Sequence, residues 1–131
     1  MNIKFLSFLS LTLILGFTSC EDDHGHDDTE NPVIELTTPT DQQQFGLTDT
    51  INIVGHITDS HDLHELLVKL TRNEDGDTLL LFTPTVHALT EYHLDTFYIA
   101  NETDHKHYTL QIVAWDHDNN ADSLSYELHV E

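Results

Sequence analysis

Eleven histidines among 131 residues give this sequence most of its chemical reach. Neutral imidazole is the commonest protein ligand for transition metals, and the single cysteine, Cys20, can build no thiolate cluster. His61 and His64 lie in the polar stretch from Asp59 to Glu65, His87 lies between Thr83 and Glu91, and His117 stands between Asp116 and Asp118. A tetrahedral zinc takes imidazole nitrogen or carboxylate oxygen at about 2.0–2.2 Å. The candidate ligands are therefore His61, His64 and His117, completed by His87 or by one of Asp59, Asp116 and Asp118. His24-x-His26 and His105-x-His107 are weaker candidates: residues two apart on an extended segment share a side and lie roughly 6.6 Å apart along the chain.

Calcium is the alternative cation. Asp116, Asp118, Asn119 and Asn120 offer it hard oxygen ligands, although the same residue types are common turn formers. Enzymatic chemistry is not expected, since the sequence has neither a nucleophile elbow nor a phosphate-cradling glycine loop. Trp115, expected to face outward beside Val113, is a candidate contact for a sugar or a protein. His56 and His129 are expected on outward strand faces, simply exposed.

The elements that must position these side chains are strands. From Pro32 onward, short alternating runs separated by polar turns mark antiparallel strands with one buried face. Val33 to Leu36 opens the series. Ile51, Ile53, Gly55 and Ile57 share a face, as do Leu66, Val68 and Leu70 in the next run. Asp75-Gly76 supplies a hairpin turn before Leu79 to Phe82. A run from Tyr92 to Ile99 follows with ambiguous facing. The clearest faces are Tyr108, Leu110, Ile112 and Ala114, then Leu124, Tyr126, Leu128 and Val130. About seven strands with turns at this spacing predict an antiparallel β-sandwich. Connections between consecutive antiparallel strands alternate between its two ends, so the stretches holding His61, His64, His87 and His117 share one end. The loop with His105 and His107 falls at the other.

Residues 1–19 resemble a secretory signal: Lys4, an apolar run from Phe5 to Phe17, then the small residues Thr18 and Ser19. Cys20 directly after them resembles the lipidated cysteine of bacterial lipoproteins, with Phe17 where that family usually has Leu. The implied anchor is lipid on Cys20, each buried methylene adding about 0.8 kcal/mol. Residues 20–31 contain EDDHGHDDTEN, which has no apolar residue and reads as a charged tether. A cysteine followed by acidic residues is similar to the export signal of Bacteroidota lipoproteins, which implies the outer face of the outer membrane, the periplasmic face being the alternative. Residues 32–131 form the one remaining domain, large enough to bury a core unaided. Four Lys+Arg against 24 Asp+Glu give a net charge of −20, which attracts cations and sets nucleic acid aside as a partner.

PVIELTTP, INIVGHITD, ELLVKL and YTLQIVAWDHDNNADS followed by SYELHV resemble a bacterial immunoglobulin-like domain, with Tyr108 at the corner-tyrosine position. The tether, NPVIEL and the scattered histidines are similar to the lipoproteins grouped as domain of unknown function 4625. The resemblance implies an immunoglobulin-like fold and no particular activity. Residues and resemblance together lead to the expectation of a non-enzymatic surface lipoprotein. Two functions stay open for it: capture of a divalent transition metal such as zinc, in which an outer-membrane receptor is a candidate partner, and adhesion to a protein or glycan, with calcium as a stabiliser.

Overall fold

A computed structural model describes residues 29–131. The expected signal segment, Cys20, His24 and His26 lie outside the described residues. Seven strands follow in order: β1 (Val33–Thr38), β2 (Gln44–Phe45), β3 (Thr50–Arg72), β4 (Thr78–Phe82), β5 (Leu89–Ile99), β6 (Lys106–Asp116) and β7 (Ala121–Val130). Period-two alternation decides their facing. Ile51, Ile53 and Ile57 of β3, Leu110 and Ile112 of β6, and Leu128 and Val130 of β7 are buried in one core cluster. Leu94 joins that core from β5, while Phe97 and Ile99 turn outward.

The arrangement is an immunoglobulin-like β-sandwich, because β3 belongs to two sheets. Its first half, Thr50 to Thr58, pairs antiparallel with β1 and β5. Its second half, Leu63 to Arg72, pairs antiparallel with β4 and β6. β6 continues to β7, and the two-residue β2 adds to β7 in parallel. One sheet therefore runs β1-β3-β5 and the other β4-β3-β6-β7-β2, with the apolar faces of both in the common core. The Asp75-Gly76 turn is present between β3 and β4: Gly76 adopts φ +76°, and Arg72 N–H donates to the Asp77 carbonyl at 2.9 Å.

Asp59 to Glu65 is not a loop, as its polarity suggested, but the corner of β3. The ladder is handed over at Leu63, which pairs with Leu89 of β5 on one side and Asp116 of β6 on the other. Register shifts on both sides of Leu63 bend the strand there, as bulges do. Asp59 Oδ1 accepts the His61 N–H at 2.8 Å, replacing a ladder bond lost in the bend. Ser60, His61 and Asp62 suit the corner because their side chains project to solvent. The runs around Ile51 and Leu66 are thus one strand, and β2, too short to show any alternation, restores the number to seven.

Candidate metal centres at the two poles

Three backbone features gather histidines at the β3 corner. Pairing of Leu63 with Asp116 puts His64 beside His117, which begins the β6–β7 turn. The Ala88 N–H donates to the Leu63 carbonyl at 3.1 Å, which brings His87 alongside. Val86, 1% exposed, pins the same connection into the core. Ala88 adopts φ 62°, a conformation that L-residues rarely take and that is held here by this pinning.

His64, His87 and His117 consequently form a triad of exposed rings, with centroids 5.6 Å (64–87), 4.6 Å (64–117) and 4.5 Å (87–117) apart. One potential ligand atom from each lies within 4.8 Å of the other two. Among the described residues these rings contact one another, and no hydrogen bond to another side chain is seen.

The other candidates at this end do not join the triad. His61 Nδ1 lies 3.2 Å from Ser60 Oγ and outside the group. Asp59 is 9% exposed, with one oxygen committed to the His61 N–H. Asp116 is 2% exposed and ties down its own turn, accepting the Asn120 N–H at 2.8 Å and Asn120 Nδ2 at 2.6 Å. Asp118 is exposed and outside the group. Of the residues expected from the sequence, His64, His87 and His117 are thus brought together, while His61, Asp59, Asp116 and Asp118 lie outside that group.

β6 separates this pole from the next. His107 is its second residue and His117 follows its last, and ten residues of strand span roughly 33 Å. At the far end His105 and His107 do face each other, their Nε2 atoms 3.1 Å apart. His129, read from the sequence as merely exposed, is the cross-strand partner of His107 on β7 and completes a second triad. Its ring centroid lies 4.6 Å from that of His107 and 5.9 Å from that of His105. The signal was present: counting back from the Asp116–Asn120 turn in hairpin register sets residue 107 opposite residue 129.

Acceptor groups crowd this second triad. His107 Nδ1 lies 2.8 Å from Glu127 Oε1, and that hydrogen bond first, with one from Gln42, holds the Glu127 carboxyl below its ordinary range. The His107 N–H donates to Glu74 Oε1 at 2.9 Å and lowers the Glu74 carboxyl likewise. His129 Nε2 lies 2.8 Å from Gln42 Oε1, and His105 Nδ1 lies 3.6 Å from Glu131 Oε2.

A third group lies on the outward face of the β1-β3-β5 sheet. His56 and His93 are cross-strand partners whose rings stack at 4.5 Å with 4° between planes, and Glu91 Oε2 stands 3.6 Å from His56 Nε2. No local pattern announces it, since β3 and β5 are not consecutive strands.

No protein-family model and no curated protein matches the chain. Similar solved structures include Clostridium thermocellum CbhA fibronectin(III)-like modules, 15% identical with a TM-score of 0.43, over 76% of this chain and 45% of that one. Murine CRIg is 13% identical with a TM-score of 0.47, over 78% of this chain and 98% of its own. The chain thus spans less than half the length of the CbhA chain it resembles. The immunoglobulin-like arrangement stands on the strand pairing itself.

Proposed function

We propose that this chain is a non-enzymatic immunoglobulin-like binding module that captures a divalent transition metal through His64, His87 and His117. One observation carries the reading: three imidazoles from three separate parts of the chain meet at one pole with ligand atoms within 4.8 Å. Zinc bonds of about 2.0–2.1 Å in tetrahedral geometry put ligand nitrogens about 3.3 Å apart. Rotation of the exposed rings closes that gap, and water or a carboxylate takes the fourth position. A net charge of −20 raises the local concentration of cations. Nitrogen ligands favour zinc or its transition-metal neighbours over calcium, and the Asp116 oxygens that calcium would use already hold Asn120.

The apolar run before Cys20 supports a lipid anchor there, and the acidic residues that follow support the outer membrane as its location. Capture at that surface would serve an outer-membrane receptor. Phe97 and Ile99, 58% and 56% exposed on one face of β5, favour docking of a protein or glycan partner as the second reading.

Calorimetry of the full chain with zinc chloride tests the proposal against a His64→Ala, His87→Ala, His117→Ala variant. The parent binds saturably at micromolar zinc, and the variant loses that site. Binding weakens in acid, because protonation of an imidazole removes its ligand lone pair. Identical isotherms for parent and variant would remove the proposal, and partner binding indifferent to a chelator would favour docking.

A further inference from the structure

The pole holding His105, His107 and His129 differs from the first in one respect that matters to a metal: each ring has one nitrogen facing an oxygen acceptor. A Glu127 carboxylate, which can only accept, takes the Nδ1–H of His107, and the Nε2 of that ring is left with a lone pair. The Gln42 amide oxygen takes the Nε2–H of His129, and its Nδ1 is left with a lone pair. Glu131 stands by Nδ1 of His105, whose Nε2 is directed at Nε2 of His107, 3.1 Å away. The two Nε2 atoms thus face each other at a separation that one ion could bridge.

The separation of 3.1 Å is already close to the ~3.3 Å between nitrogens on a tetrahedral zinc. Carboxylate or carbonyl oxygens that hold the far nitrogen of a ligating histidine fix its tautomer and orientation and raise its basicity. The bracing residues are themselves linked. The Gln42 side chain hydrogen-bonds Glu127, the Gln42 N–H donates to the Glu127 carbonyl at 2.7 Å, and the His129 N–H donates to the Gln43 carbonyl at 3.0 Å. Gln42 reaches both partners from a left-handed conformation at φ 61°, a cost that non-glycine residues bear where surrounding contacts impose it.

We infer that His105, His107 and His129 form a second, pre-organised site for a divalent transition metal, braced by Glu127, Glu131 and Gln42. Hydrogen bonds to Glu127 and Gln42 already orient the His107 and His129 rings. The site stands independently of the triad at the other pole.

Zinc chloride titration of the full chain by calorimetry tests the inference. The His64→Ala, His87→Ala, His117→Ala variant retains one saturable site. Adding His105→Ala and His107→Ala to that variant abolishes the site, while Glu127→Gln in its place raises the dissociation constant about 10–100-fold. Far-UV circular dichroism and an unchanged urea midpoint establish that each variant is folded, and His129→Ala alone serves should the double change unfold the protein. The inference is overturned if zinc binding survives His105→Ala with His107→Ala in that variant, or if Glu127→Gln leaves affinity unchanged. Loss of the first triad with no effect on zinc would sink the proposed function while leaving this site intact.

Discussion

Tyr108 is buried at the start of β6, and its hydroxyl donates to Glu102 Oε1, which also receives Arg72 Nε at 3.1 Å. Burial first, and this hydrogen bond second, push the phenol well above its ordinary pKa. The folded protein therefore holds that proton more tightly than the unfolded chain does. The resulting stabilisation is complete below the ordinary tyrosine value of about 10 and is lost as pH rises toward the folded value. Tyr108→Phe should lower stability by about 1.5–3 kcal/mol at pH 8, the usual worth of a hydrogen bond to a charged group. The variant should also lose less stability than the parent between pH 9 and 11, about the range where free phenol titrates. Urea unfolding across that range checks both, and parallel pH curves would contradict the role given to this hydroxyl. That Tyr108 faces inward was legible from alternation, whereas its partner was not, because Glu102 lies in a connection without period.

At the scale of elements, period two announced the buried faces of β3, β6 and β7, since an apolar face needs only local sequence to be written. Pairing is a different matter. The corner of β3 looked like a loop because Asp59, Ser60, His61 and Asp62 are turn formers, and only contact with both β5 and β6 makes that segment continuous strand. Membership of the first triad changed with it, since the bend at Leu63 directs His64 to the pole and leaves His61 beside Ser60. Close approach of β1 to β3 depends on Gly55, where a Cβ would stand 2.7 Å from the Glu35 carbonyl oxygen. Gly55→Ala should cost about 1–3 kcal/mol, as overpacking does, and should loosen β1 without altering the histidine poles. Hydrogen exchange reads this directly: faster exchange confined to the β1 ladder is expected, and uniform protection would contradict it.

Across the whole molecule, a charge of −20 is offset by few bases. Arg72 is occupied by Asp75 and Glu102, and Lys106 by Asp104. Cations gather at such a surface without specificity; in the proposed reading, selectivity would come from nitrogen ligands at the two histidine poles, separated by the length of β6. Histidine-ligated zinc is the claim on which the functional reading turns, and X-ray absorption at the zinc edge on the zinc-loaded full chain addresses it most directly. The predicted result is a four-coordinate ion with imidazole nitrogens at about 2.0–2.1 Å. Zinc surrounded by oxygen alone, or zinc that washes off the protein, would contradict it.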